Sequence, residues 1–316
     1  MLQTKEVHVV FGTGPAGSTL AALLLGQGKY VRCVNRSGKA DLPVGIEVRA
    51  GNMLEQESVT ELCKDAAVVY HCANVHYAQQ VELLPLFQKH ILNAAASAAA
   101  RIVVLDTLYV YGRTHGFPMN SGTPHAAVSR KGILRKQMAE TYLQAHAEGK
   151  LQVTLGRAAD FFGPRVLNSA LGDRVFPAAL QGKPLQLIGN LDLPHSYSYI
   201  EDVAQGLATL GEQDKALGRA WLLPVAAPLT QRAVAILIGK LLERKVKTMA
   251  LPAWVIHILG LGDLFMREFI EMFYQYTEPQ VVDASEYEQC FNQRATPMDA
   301  ALGKTLDWYR KKVIVA

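Results

Sequence analysis

The sequence predicts an α/β fold: a doubly wound parallel sheet with a smaller C-terminal lid. Three observations predict it. Short β-branched runs alternate with longer helical segments through residues 1–157, which implies parallel strands covered by helices on both faces. A glycine-rich turn, Gly12 to Gly17, joins the first strand to the first helix. Across residues 158–316 the alternation weakens, and glycines, prolines and aromatics suggest loops and short elements that close over a pocket, with some segments returning to the sheet.

Val7, Val9, Val10 and Phe11 form a short buried strand, and Ser18 to Leu25 the first helix. Tyr30 to Val34 is a second strand, ending at Asn35-Arg36. Ile46 to Arg49 is a third, leading to Asn52-Met53, and a helix follows from Glu55. Ala67 to Tyr70 is a fourth strand, ending at His71-Cys72-Ala73-Asn74. A helix then spans Val81 to Ala100, its Ala94 to Ala100 run being a strong helix former. Arg101 to Leu105 is a fifth strand, Val128 to Glu148 a helix, and Leu151 to Leu155 a sixth strand. Ligands of such sheets bind at the carboxyl ends of the strands. The candidate positions are therefore Gly12 to Gly17, Asn35-Arg36, Asn52-Met53, Cys72 to Asn74, Asp106 to Tyr111 and Ala158 to Phe162.

Composition excludes several function classes. Of 316 residues half are hydrophobic and 19% charged, the balance of a globular chain. The net charge of +4 is dispersed except at Arg310-Lys311-Lys312, which suits a helix C-terminus, so no nucleic-acid partner is expected. The four cysteines have no metal-binding spacing and read as reduced. No apolar run reaches membrane-spanning length and Met1 to Lys5 carries no signal-peptide pattern, so a cytoplasmic location without a membrane partner is expected.

Gly12, Gly14 and Gly17 form GxGxxG in the strand–turn–helix setting of a Rossmann-like dinucleotide site. The first glycine permits the tight turn, and the second, beside Pro15 and Ala16, lets backbone approach a pyrophosphate. The third lets helix pack on strand, with the helix N-terminus aimed at the phosphates. The alternative is a plain βα turn with no ligand. At the end of the second strand an acidic residue usually binds the ribose hydroxyls of NAD. Here Asn35 cannot repel a 2′-phosphate, and Arg36 can pair with one, with Ser37 and Lys39 nearby. NADP(H) is the preferred cofactor and NAD(H) the alternative, in which Arg36 is a solvated loop residue.

The order of these elements, with Ala73 after the fourth strand, TLYVYG (Thr107 to Gly112), RAADFFGP (Arg157 to Pro164) and HSYSYIEDVA (His195 to Ala204), resembles the extended short-chain dehydrogenases, the NAD(P)-dependent epimerase/dehydratase family. The likeness runs over nearly the whole chain. The glycine loop departs from that family's usual GxxGxxG, which marks an atypical branch. The resemblance implies a small-molecule substrate and a homodimer formed through the helices near 81–100 and 128–148.

It also implies a Ser or Thr, a Tyr and a Lys acting together, the Lys lowering the Tyr pKa and holding the cofactor ribose. Thr107 matches the Ser/Thr. Anchoring on Ala139-Glu140 places Lys136 at the lysine but Gly132 at the tyrosine, and no Tyr-x-x-x-Lys occurs anywhere in the chain. If the fifth strand continues, Thr107 and Tyr109 project to one face, which makes Tyr109 the first candidate for a substitute acid or substrate anchor. Lys136, Lys131 and Arg130 are the cationic candidates, each with a helix-surface charge as the alternative, and His71 and His76 are further proton-handling candidates.

In the second half, Asp202 is a plausible N-cap for a helix from Val203, and Thr296-Pro297 for the last helix. In nucleotide-sugar members of the family an Arg that binds a diphosphate stands where this chain has His195, a poorer diphosphate ligand. With Phe161, Tyr197 and other aromatics nearby, an apolar or aromatic carbonyl substrate is expected. The apolar residues between Pro252 and Tyr276 are expected to pack in a core. Three functions follow in order: an atypical NAD(P)H-dependent reductase of a small carbonyl, a catalytically idle NADP(H) sensor, and a nucleotide-sugar epimerase or dehydratase.

Overall fold

The computed structural model describes residues 6–315, so the expectation drawn from Met1 to Lys5 lies outside the described residues. In chain order the elements are β1 (Val7–Phe11), α1 (Pro15–Gly26), β2 (Tyr30–Asn35), β3 (Glu47–Ala50), α2 (Gln56–Leu62), β4 (Ala66–His71), α3 (Gln80–Ser97), β5 (Arg101–Thr107), α4 (Arg130–Ala147) and β6 (Val153–Ala158). There follow β7 (Asp160–Phe162), α5 (Phe176–Leu180), β8 (Leu185–Ile188), β9 (Pro194–His195), β10 (Tyr197–Tyr199), α6 (Ile200–Glu212) and β11 (Ala220–Leu222). The chain continues through β12 (Leu229–Thr230), α7 (Gln231–Leu241), β13 (Thr248–Leu251), α8 (Ala253–Leu259), α9 (Leu264–Phe269), α10 (Ser285–Phe291) and α11 (Met298–Val315).

Two compact units result. One takes the chain through Val110 with Arg130–Arg157 and Val203–Trp221; the other takes Tyr111–Ser129, Ala158–Asp202 and the chain from Leu222 onward. The first unit carries a mostly parallel seven-stranded sheet in the order β11-β6-β5-β4-β1-β2-β3. From β1 the chain builds outward through β2 and β3, then returns to place β4 on the other side of β1. The crevice between the ends of β1 and β4 is thus the switch point where such sheets hold ligands. One face of the sheet packs Val9, Phe11, Ile102, Val104, Val153 and Leu155 against Leu84 and Ile91 of α3 and Leu134 and Met138 of α4. Each such fully buried aliphatic side chain contributes about 1.5–3 kcal/mol. The two helices are also joined by Gln88, whose Nε2 donates to the Met138 carbonyl (2.6 Å).

The second unit is built from short elements. β7 pairs in parallel with β10, and β8 with β13. Its core joins Phe162, Phe176, Leu187, Tyr197, Ile238, Leu302 and Tyr309. One expected cap differs: α6 begins at Ile200, ahead of Asp202, and the Asp202 carboxylate accepts from the Thr296 backbone N–H (2.8 Å) and hydroxyl (2.6 Å). In the 252–276 stretch Ile256, Met266 and Phe273 do form a small core, whereas Trp254 and Ile258 lie on the surface.

Among the described residues no helix is long and apolar enough to cross a membrane, and no group of three or more His, Cys, Asp or Glu side chains could hold a metal ion. None of the four cysteines forms a disulfide.

Candidate functional site

The turn between β1 and α1 is shaped by backbone contacts that only glycine allows. Gly12 has φ +101°, and a Cβ there would lie 2.8 Å from the backbone of Ala73, just after β4. A Cβ on Gly17 would fall 1.9 Å from the Gly12 carbonyl oxygen. The protein's own packing therefore requires both residues. Gly14 differs: it is exposed, its φ of −70° suits any residue, and a Cβ there would meet nothing within 4 Å. It N-caps α1 without a side-chain cap, Pro15 fills the first turn, and no acidic residue lies in that turn. The first-turn N–H groups and the helix dipole are left for an anion. This open cradle fits the pyrophosphate of a dinucleotide.

The Asn35 side chain is bonded within the protein at both ends of its amide. Its Nδ2 donates to Thr13 Oγ1 (2.8 Å) and the Lys39 carbonyl (2.8 Å), while its Oδ1 accepts from the N–H groups of Ser37 and Gly38. The side chain braces the loop after β2 and ties it to the glycine turn. Arg36 stands exposed on that braced loop and forms no hydrogen bond or ion pair among the described residues.

The remaining strand ends divide. Asn52 is exposed and bonds locally, to Glu55 Oε1 and the Leu54 N–H, while Met53 is buried in the sheet core. After β4, Cys72 donates its N–H to the Phe11 carbonyl, which zips β4 to β1, and burial pushes its thiol up to about 12. Ala73 backs Gly12. Asn74 is exposed, and its Oδ1 accepts from Gln80. Ala158 closes β6 and is buried.

The strand-alternation argument for Thr107 and Tyr109 does not hold, because β5 ends at Thr107 and a 3-10 turn carries Leu108–Tyr111. The turn links the two through the Tyr109 backbone: its N–H donates to Thr107 Oγ1 (3.4 Å), leaving the Thr107 hydroxyl hydrogen to donate elsewhere. The Tyr109 hydroxyl lies 3.5 Å from that of Tyr77, at the limit of a hydrogen bond. Over the Tyr77 ring, 4.4 Å from its centroid, sits the Lys131 ammonium. Lys131 is wholly buried, whereas Lys136 is half-buried at the edge of α4 and makes no hydrogen bond or ion pair among the described residues. The reason is helical geometry: Lys131, Leu134, Arg135, Met138 and Tyr142 form the buried stripe of α4, and Lys136 falls outside it.

Beneath this cluster the strand ends carry buried polar pairs. Arg157 Nε donates to Asp106 Oδ2 (2.9 Å), both side chains nearly inaccessible. His71 Nδ1 and the Tyr142 hydroxyl are 2.6 Å apart. Burial, and then the Arg135 charge, lower the His71 pKa to about 3, so it stays neutral. His76 is exposed.

The second unit has its own polar cluster. Asp160 Oδ2 accepts from the Tyr276 hydroxyl (2.6 Å) and pairs with His195 Nε2 (3.1 Å). Burial raises the carboxyl pKa, but the hydrogen bond and charge of His195 and the Tyr276 hydroxyl outweigh it, and the net shift is downward. His195 stacks on Tyr276 and tilts against Tyr197, whose hydroxyl is buried with no hydrogen-bond partner. Phe161 is half-buried on β7 beside Asp160.

Tyr77, Asp160 and Tyr276 are the members that the sequence alone does not single out. Tyr77 sits in a short 3-10 turn before α3, with no motif to mark it. Lys131 does leave a trace, as a lysine in phase with the apolar stripe of its helix.

A model of the NAD dependent epimerase/dehydratase family matches residues 8–222, more than half of the chain. Among solved structures the chain is similar to an epimerase from Methanothermobacter thermautotrophicus, at 17% identity and TM-score 0.82, covering 98% of this chain and 94% of that one. It is similar to UDP-glucose 4-epimerase of Thermotoga maritima with UDP-glucose (16% identity, TM-score 0.80, 97% and 99% coverage). A third is UDP-glucuronic acid 4-epimerase of Bacillus cereus in complex with UDP-glucuronic acid and NAD (16% identity, TM-score 0.80, 97% and 99% coverage). These TM-scores establish a shared fold. A curated protein of Sinorhizobium fredii is 24% identical over 211 residues, a match spanning 63% of this chain and 58% of that protein's length. The chain belongs to the NAD dependent epimerase/dehydratase family.

Proposed function

We propose that the protein is an NAD(P)(H)-dependent oxidoreductase that reduces the carbonyl of a small apolar or aromatic substrate, with NADP(H) preferred. The observation that carries this reading is the Thr107 hydroxyl at the end of β5, which accepts from the Tyr109 backbone N–H two residues on, in the same unit as the open Gly14 cradle. The cofactor, when bound, supplies a hydride from its nicotinamide ring. Thr107 donates its free hydroxyl hydrogen to the carbonyl oxygen and Tyr109 provides the proton that oxygen needs. The NADP(H) preference rests on Arg36, which the braced Asn35 loop holds exposed for a 2′-phosphate.

Nucleotide-sugar epimerisation is the second reading, supported by the UDP-sugars named with the structural relatives. Asp160 weighs against it: the position expected to meet a diphosphate holds His195, whose Nε2 is already turned to an ionised carboxylate that repels phosphate. Stopped-flow NADPH oxidation across a panel of carbonyl compounds, with UDP-glucose and UDP-glucuronate conversion followed in parallel, separates the readings. Carbonyl-dependent oxidation that Thr107→Ala slows by about a hundredfold supports the reductase. Sugar interconversion without net oxidation replaces it with the epimerase, and tight NADPH binding without either reaction makes the chain a sensor.

A further inference from the structure

The family's reaction needs a tyrosine whose hydroxyl is made acidic by a nearby lysine, and α4 carries Gly132 where that tyrosine is expected. We propose that Lys131 and Tyr77 are the positioning residues that restore this pair, acting through Tyr109: the acid has moved to the turn after β5 and its electrostatic support to the turn before α3. The inference rests on the reductase reading for its chemistry, but the arrangement is testable without turnover.

Three observations carry it. Lys131 is a wholly buried lysine in a protein whose other lysines are half-buried or exposed wherever described, and a buried ammonium is costly unless something compensates it. Its Nζ lies 4.4 Å from the Tyr77 ring centroid, where the ring face favours a cation and the cation favours ionisation of the ring's hydroxyl. The Tyr77 hydroxyl is 3.5 Å from that of Tyr109, and the Tyr109 N–H is anchored on Thr107 Oγ1. Tyr77 and Tyr109 are both half-buried, so a substrate and solvent can reach them. Deeper at these strand ends Asp106 pairs with Arg157, and the Arg135 charge acts on His71 and Tyr142.

In the reductive direction, where a bound reduced nicotinamide would supply the hydride to the carbonyl carbon, the carbonyl oxygen takes the proton of the Tyr109 hydroxyl. The Tyr109 O–H pair stays on its oxygen, which recovers a proton from the Tyr77 hydroxyl. The resulting Tyr77 phenolate lies beneath the Lys131 ammonium until water returns its proton. One hydride and one solvent proton are consumed per alcohol formed.

The test is a pH titration of tyrosinate absorbance in the cofactor-free protein, for the wild type, Lys131→Gln, Lys131→Arg and Tyr77→Phe. The wild type is expected to show one tyrosine ionising at least about one pH unit below the ordinary value of about 10. Lys131→Gln moves that step up by about one unit or more, Lys131→Arg retains it, and Tyr77→Phe removes or displaces it. Thermal unfolding identifies any variant that has not folded; should Lys131→Gln be one, Tyr77→Phe, a half-buried isostere, decides. Absence of an early step in the wild type, or a step unmoved by the folded variants, overturns the proposal. With NADPH and an active carbonyl, Tyr77→Phe is expected to lower kcat about tenfold at unchanged KM. A titration that behaves as described in a protein that reduces no carbonyl leaves the pair standing and removes the reductase reading.

Discussion

The turn after β1 and the turn after β5 stand at the same end of one sheet, yet they are specified by different means. In the first, backbone decides: Gly12 and Gly17 are required by contacts with Ala73 and with each other, and Gly14 is left open. Around the second, side chains from three separated segments decide. Thr107 and Tyr109 come from the strand end, Tyr77 from the turn before α3, and Lys131 from α4. A turn closed by backbone contacts tolerates little rearrangement, because a Cβ at Gly12 or Gly17 collides with main chain. An acid–base group needs only a hydroxyl and a cation at the right place, and several parts of the chain can deliver them. The glycine turn is therefore held to a fixed pattern, while an acid–base group of the kind proposed can be assembled from several parts of the chain.

That contrast can be broken at either end. The largest effect is expected beneath the reacting end, where Arg157→Met leaves Asp106 charged and buried. It should cost about 3–5 kcal/mol in urea denaturation, and adding Asp106→Leu should recover most of the loss. At the cradle, Gly17→Ala drives a methyl group into the Gly12 carbonyl and should cost about 2–3 kcal/mol by the same measurement. An effect that accumulates as acid is added is expected from His71, whose pKa falls from 6.5 to about 3 on folding. Over that range the unfolded chain binds a proton that the folded chain refuses, so stability falls as pH is lowered, by up to about 1.4 kcal/mol per pH unit. His71→Gln should remove this part of the pH dependence of the urea midpoint. Smallest is Arg36→Ala, which should lower NADPH affinity about tenfold and leave NADH affinity unchanged. Equal losses for both cofactors would mean that Arg36 does not read the 2′-phosphate.

The same contrast explains what the sequence made visible. β1 runs Val7–Phe11 as its pattern predicts, and the glycine turn could be read residue by residue, since each glycine answers to a local backbone demand. Parallel strands with candidate positions at their carboxyl ends followed from alternation, whereas the strand order and the switch point between β1 and β4 came with the structure. The reacting end was only partly visible. Thr107 and Tyr109 were legible as neighbours in one motif, although a 3-10 turn rather than strand alternation joins them. Lys136 was suggested by alignment to a family pattern, whereas burial favours Lys131, in phase with Leu134, Arg135 and Met138. Tyr77 and the Asp160–His195–Tyr276 cluster depend on contacts between residues 32, 35 and 116 positions apart, which no local pattern encodes.

The central claim is that Gly14 is kept small for a dinucleotide and not for the fold. Calorimetric titration of NADPH into the wild type and Gly14→Val, with thermal unfolding of both, tests it directly. The account predicts an unchanged melting temperature and an affinity weakened about tenfold or more in the valine variant. NADPH binding as tight in Gly14→Val as in the wild type would contradict it.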